Sequence, residues 1–131
     1  MSHTSEDQVS RVLVVDDMEA MRLALVKCLH MSGYEVIAVS SGGEALELLR
    51  TQRFDLLLTD QTMPGLSGLE LLAELRARHL AMPFVLITAH DAPGLRQRAV
   101  ESGAAAYLAK PFRGTALLKA VRAAIEPPQQ P

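Results

Sequence analysis

The chain has 131 residues, of which 49% are apolar and 21% charged, and its formal net charge is -2. That balance suits one folded domain with a single core, and it excludes a disordered chain and a broad basic field for nucleic acid or an anionic membrane. Cys28 is the sole cysteine, so the chain cannot close a disulfide on itself and the expected compartment is the cytoplasm.

The opening "MSHTSEDQVS" lacks the basic start and apolar run of a signal peptide. Residues 1–9 are therefore expected to form a flexible tail. The first strand is "RVLVVD", Arg11 to Asp16, and helical spacing follows from Met18 to Ser32, with Met18, Met21, Leu25, Cys28 and Leu29 on one stripe and Gly33 as the cap. Ala20, Leu23, Ala24 and Val26 add apolar surface outside that stripe. Such a surplus suggests a docking face beside whatever lies at this end of the molecule.

A second strand, "YEVIAV" from Tyr34, precedes a helix over Gly42 to Thr51, and a third, "FDLLLT" from Phe54, runs into Asp60 and the turn residues Pro64 and Gly65. A helix over Ser67 to Arg78 leads to "PFVLIT", Pro83 to Thr88. The next helix is expected over Ala92 to Ser102, capped by Asp91 with Pro93 in its first turn. The fifth strand, "AAYLA" at Ala105 to Ala109, is followed by a helix over Gly114 to Glu126 with Leu117, Leu118, Val121 and Ile125 inward. The proline-rich end, residues 127–131, reads as a tail or the start of a linker, which leaves 10–126 as the domain. No apolar stretch approaches the roughly 20 residues that span a bilayer.

Five strands alternating with five helices specify βαβ units and a parallel sheet, and the near-continuous apolar character of the strands implies helices on both faces. In a doubly wound α/β sheet of this kind the site lies beyond the carboxyl ends of the strands. The residues delivered there are Asp16 and Asp17, Asp60, Thr88 and Lys110.

Three carboxylates at one corner need cations. A divalent hard ion such as Mg²⁺ suits oxygen ligands and leaves room for waters and a phosphate oxygen, while Lys110 offers a second, fixed positive charge. Thr88 offers a hydroxyl to an oxyanion. The set fits phosphoryl transfer with a carboxylate nucleophile, for which Asp60 is the candidate because Asp16 and Asp17 form the adjacent pair. Each residue also has a plainer reading. Asp60 can be a turn former, Asp16 and Asp17 can start a helix, and Lys110 can be a solvated loop lysine.

The segments "VLVVDD", "LLLTDQTMPGLSG", "VLITA" and "YLAKPF" stand in an order and spacing that resemble the receiver domain of two-component response regulators, over about residues 10 to 126. The resemblance implies a flavodoxin-like (βα)5 fold with strand order 2-1-3-4-5. It implies that Asp60 accepts a phosphoryl group from a histidine kinase or histidine phosphotransfer protein. It further implies that Asp16, Asp17, Asp60 and the Thr62 backbone carbonyl hold Mg²⁺, that Thr88 bonds the phosphoryl group and that Lys110 pairs with it.

In that family the aromatic at the position of Tyr107 swings inward as the threonine moves, and an output domain or partner reads the face of the fourth helix, fifth strand and fifth helix. Tyr107 can equally be a partly exposed strand residue without such a role. Thr62 and His90 occupy positions that influence phosphoryl lifetime, although His90 can instead cap the fourth helix. Ala20, Met21, Ala24 and Pro111 match the kinase-docking surface. The resemblance thus implies a signalling phosphoacceptor, not an enzyme, with at most self-phosphorylation and autodephosphorylation, and no direct contact of this segment with nucleic acid or membrane is expected.

Two other classes compete. A haloacid-dehalogenase-like phosphatase also uses an aspartate after an apolar strand, but its further acidic ligands follow a late strand, where this chain has Lys110. A flavodoxin-like cofactor binder needs a phosphate loop after the first strand, where Asp16 and Asp17 repel phosphate.

Overall fold

A computed structural model describes residues 9–126; most of the expected N-terminal tail and the proline-rich segment at 127–131 lie outside the described residues. The elements in chain order are β1 (Arg11–Val15), α1 (Glu19–Met31), β2 (Glu35–Val39), α2 (Gly42–Leu49), β3 (Leu56–Asp60), α3 (Gly68–Ala77), β4 (Phe84–Thr88), α4 (Leu95–Glu101), β5 (Ala106–Ala109) and α5 (Gly114–Ile125). The strands pair in parallel in the order β2-β1-β3-β4-β5. This is the doubly wound, flavodoxin-like sheet expected from the motifs.

Alternation along the strands divides the core into two layers. Leu13, Leu57 and Leu86 pack with Leu71, Leu72 and Leu75 of α3 and with Ala45 and Leu49 of α2. Val12, Val14, Leu56, Leu58, Val85 and Ile87 pack on the other side with Leu25 and Leu29 of α1 and Leu117 and Val121 of α5. Every residue of β3 and β4 is buried, whereas the edge strands β2 and β5 are only partly covered. A central strand sandwiched between helices reads as an unbroken apolar run for this reason.

Local chemistry sets several helix boundaries. Ser67 and Glu70 form a reciprocal capping box at the start of α3, and Ser41 caps α2 by accepting from the Glu44 N–H. Gly33 follows α1 with φ of +97°, the left-handed conformation expected of a helix-terminating glycine.

The opening of the fourth helix departs from expectation. Asp91 does not cap it: the residue at the N-cap is Gly94, with φ of +83° and no side-chain capping bond, and Pro93 precedes the helix. The Asp91 carboxylate instead accepts a 2.6 Å hydrogen bond from the Tyr107 hydroxyl. A strong long-range partner has displaced a weak local cap. Met18 also leaves the stripe assigned to it, since it stands before α1 and is 60% exposed, while Met21 and Cys28 are half-buried against the core. Leu23, Ala20 and Ala24 are exposed on the same helix, so its apolar surplus faces outward.

Candidate functional site

The register of the sheet assembles the site. Val15 pairs with Thr59, so the next residues, Asp16 and Asp60, lie side by side at the carboxyl ends of β1 and β3. Asp60 pairs with Ile87, which sets Thr88 one step beyond it on β4, and the Lys110 N–H donates to the Thr88 carbonyl at 2.7 Å. Four strand ends therefore contribute to one corner near the point where strand order reverses, the position at which doubly wound sheets place ligands.

Asp60 shares strand parity with Leu56 and Leu58, which puts it on the α1 and α5 side of the sheet. Beyond it the chain turns through Met63, Pro64 and Gly65, the last with φ of +79°. The start of α3 then returns beneath the strand end. The Gly68 N–H donates to the Gln61 carbonyl at 3.0 Å, and the Gln61 side-chain oxygen accepts from the Leu69 N–H at 2.9 Å. A Cβ on Gly68 would lie 2.7 Å from the Asp60 carbonyl oxygen and 2.5 Å from Leu86 Cδ1. Only glycine fits there.

Asp16 and Asp60 are buried, Asp17 is half-buried, and one carboxylate oxygen from each of the three lies within 4.8 Å of the others. Asp16 is oriented on both oxygens: Oδ1 accepts from the Met18 N–H at 2.9 Å and Oδ2 from Lys110 Nζ at 3.4 Å. Lys110 Nζ also stands 3.1 Å from Asp60 Oδ1. That contact pairs the charges without meeting hydrogen-bond angles, so Asp60 Oδ1 is a buried oxygen with no donor. Burial holds the Asp60 carboxyl above the ordinary carboxylate range; Lys110 opposes the rise, and the charges of Asp16 and Asp17 add to it.

An orphaned buried oxygen among three converging carboxylates fits a divalent cation with oxygen ligands. Among the described residues this is the grouping that brings three acidic side chains within ligand distance.

An open cleft of about 540 Å³ leads to this corner, lined among others by Asp17, Asp60, Thr62, His90 and Lys110, with Ala20 and Met21 on one wall. Thr62 and His90 are exposed at its rim. The structure thus places two of the expected docking residues, Ala20 and Met21, at the mouth of the cleft. Ala24, about one turn further along α1, and Pro111 are exposed and do not line it. Pro111 follows Lys110 through a cis peptide bond.

Thr88 is buried, and its hydroxyl is engaged with the main chain of His90, accepting from the N–H at 3.0 Å and lying 3.1 Å from the carbonyl oxygen. Tyr107 is 8% exposed. It is a covered residue, which removes the reading of it as a partly exposed strand position.

One contributor went unread in the sequence. Arg22 of α1 donates from Nη1 to the Asp16 carbonyl at 2.8 Å, tying the helix to the turn that carries both acidic residues. Its signal was an arginine in the first turns of a helix, where the macrodipole disfavours positive charge.

Residues 12–122 match the family described as the response regulator receiver domain, and the chain belongs to that family. It is 41% identical over 112 residues to response regulator protein FleR of Pseudomonas aeruginosa, a match covering 86% of this chain and 24% of the relative. It is also 41% identical over 113 residues to response regulator MprA of Mycobacterium ulcerans, covering 86% of this chain and 49% of the relative. The chain thus spans a quarter to a half of these curated relatives.

Among solved structures it resembles the chemotaxis response regulator CheY4 of Vibrio cholerae, with 32% identity, a TM-score of 0.80 and coverage of 88% and 98% of the two chains. It likewise resembles the FixJ-N crystal structure, with 32% identity, a TM-score of 0.84 and coverage of 95% and 99%. The domain is a receiver of two-component signalling, and the phosphatase alternative has no support. Among the described residues no helix is long and apolar enough to cross a membrane.

Proposed function

We propose that Asp60 is the phosphoacceptor of this receiver domain, taking its phosphoryl group from a phosphohistidine on a kinase or phosphotransfer protein in the cytoplasm. The observation that carries this reading is Asp60 Oδ1: buried, without a hydrogen-bond donor, and 3.1 Å from Lys110 Nζ. In the transfer a carboxylate oxygen of Asp60 attacks phosphorus, the P–N bond breaks, and the imidazole nitrogen leaves with the bonding pair. The product is an acyl phosphate.

Asp16, Asp17, Asp60 and the Thr62 carbonyl are the groups that would hold Mg²⁺, which when bound neutralises phosphoryl oxygens. The chain's own residues do the rest. Lys110 pairs with a phosphoryl oxygen, and Thr88, after leaving His90, donates its hydroxyl to another. Met18 and Arg22 fix the Asp16 turn, and the open cleft admits the donor histidine past Ala20 and Met21, with Ala24 and Pro111 widening the docking surface. Thr62 and His90 at the rim set how readily water reaches the acyl phosphate. The movement of Thr88 is transmitted through Tyr107 to the face of α4, β5 and α5, where an output partner reads it.

Incubation with Mg²⁺ and a small phosphodonor should add a phosphoryl mass that is stable in acid and labile in base. Asp60→Asn should abolish it. Persistence of the adduct in that variant would sink the assignment.

A further inference from the structure

A helix leaves its first four amide N–H groups without partners of its own. At the start of α3 all of them are satisfied, and the partners divide into two kinds. Ser67 and Glu70 satisfy each other: the Ser67 N–H donates to Glu70 Oε1 at 2.9 Å and the Glu70 N–H to Ser67 Oγ at 3.1 Å. The remaining two N–H groups leave the helix for a single residue at the end of β3. Gly68 donates to the Gln61 carbonyl at 3.0 Å and Leu69 to the Gln61 side-chain oxygen at 2.9 Å.

Gln61 is also held from the other side, since its own N–H donates to the Ile87 carbonyl of β4 at 2.7 Å. It follows Asp60 directly, and strand alternation sends the two side chains to opposite faces. Asp60 faces α1 and α5, while Gln61 reaches the start of α3. Both ends of the loop from Thr62 to Ser67 therefore meet at Gln61. Within that loop Thr62, Pro64 and Gly65 are exposed and Met63 is its buried anchor.

Taking the receiver reading as its basis, we propose that Gln61 is a positioning residue for the cation: by tying the start of α3 to the end of β3 it fixes the connecting loop, and with it the Thr62 carbonyl assigned to Mg²⁺. A ligand on a loop closed at both ends loses little freedom when it meets an ion. One on a loop loosened at its α3 end has to be ordered at binding, and affinity falls by that cost. The main-chain bond from Gly68 survives any side chain at position 61 that lets the domain fold, so a substitution there isolates the bond from Leu69.

The test is a calorimetric Mg²⁺ titration of the full chain, with a melting curve for each variant. Gln61→Met keeps the side-chain length and removes the acceptor, and should weaken Mg²⁺ binding about three- to tenfold, the fold-change that one net hydrogen bond can supply. Gln61→Asn, one methylene too short to reach Leu69, should lose as much, and either variant suffices if the other does not fold. Gln61→Glu keeps an acceptor at the helix N-terminus, on the face away from the acidic cluster, and should bind Mg²⁺ like wild type. Ser67→Ala removes a cap from the same helix end without touching Gln61; it should melt lower and leave Mg²⁺ affinity unchanged.

Wild-type affinity in Gln61→Met or Gln61→Asn, or an equal loss in Gln61→Glu or Ser67→Ala, overturns the role of Gln61 and leaves the receiver reading standing. Wild-type protein that takes up no phosphoryl group from a small phosphodonor with Mg²⁺, or takes it up equally well as Asp60→Asn, overturns the receiver reading itself.

Discussion

The guanidinium of Arg22 donates to the main-chain carbonyl of Asp16 across 2.8 Å, joining the second turn of α1 to the end of β1. Neither residue needs the other's charge for this; the bond fixes a backbone. Because the Asp16–Asp17 turn presents two of the three clustered carboxylates, Arg22→Ala is expected to weaken Mg²⁺ binding by about tenfold, the lower end of what outer residues contribute to metal affinity. Arg22→Lys keeps a donor and should lose less. Calorimetric Mg²⁺ titration of the two variants checks the order.

Asp60 makes stability depend on pH in a defined direction. Its carboxyl is held above the ordinary range by burial and by Asp16 and Asp17, so the folded chain binds this proton more tightly than the unfolded chain does. Stability from this group is fully present below the unfolded carboxyl value near 3.9 and is lost as pH rises through the folded one. At neutral pH without divalent cation, Asp60→Asn should therefore melt higher than wild type. The expected gain is about 2–5 °C, after allowance for solvent screening at the open cleft. Melting curves at pH 3 and pH 7 separate the cases, since the gain should vanish at the lower value.

Divalent cation acts on the same charges from the other side. Mg²⁺ at about 100 times its dissociation constant should stabilise the wild type by about 2.7 kcal/mol. Asp17→Asn should abolish most of that gain, because it removes one of three oxygens within 4.8 Å. Equal stabilisation of both proteins in thermal melts would refute the assignment of the cation to this cluster.

Gly68→Ala is expected to cost about 1–3 kcal/mol, since its Cβ would sit 2.5 Å from Leu86 Cδ1 and 2.7 Å from the Asp60 carbonyl. Both neighbours are core or site atoms with little room to give. Urea denaturation measures the cost, and the phosphoryl adduct should form more slowly because the strand end that presents Asp60 has shifted.

Arg11 offers the contrasting case at the opposite end of the sheet. Its side chain pairs with Glu35 at 3.2 Å, donates to the Arg53 carbonyl and to Gln52 Oε1, and lies 4.5 Å over the Phe54 ring. Arg11→Ala should destabilise the domain by about 1–2 kcal/mol. Phosphorylation of the folded protein should be unchanged, which a paired denaturation and labelling experiment can establish.

The sheet and the strand-end residues were legible because period and position are local properties. Five apolar runs identify the strands, and the ends of four of them point to Asp16, Asp60, Thr88 and Lys110. What sequence could not supply were pairings decided across the fold. Asp91 reads as a helix cap until Tyr107, 16 residues later, is brought to 2.6 Å from it. Met18 fits the α1 stripe by spacing alone, yet the helix starts after it and leaves it outside. The Arg22 bond was hidden for another reason: its acceptor is a backbone carbonyl, which no side-chain pattern reveals.

Helix α4 has seven residues, a left-handed glycine at its N-cap, no side-chain cap and no acidic residue in its first turn. Within the segment the Gln97 side chain donates to Glu101 at 2.8 Å, and Leu95 and Ala99 are its buried anchors. Its amide protons should therefore exchange with solvent by local opening well before those of β3 or α3. Under the proposed function, the face that an output partner reads is built partly on a short helix with a glycine cap, so loading of Asp60 and local opening of α4 should be coupled.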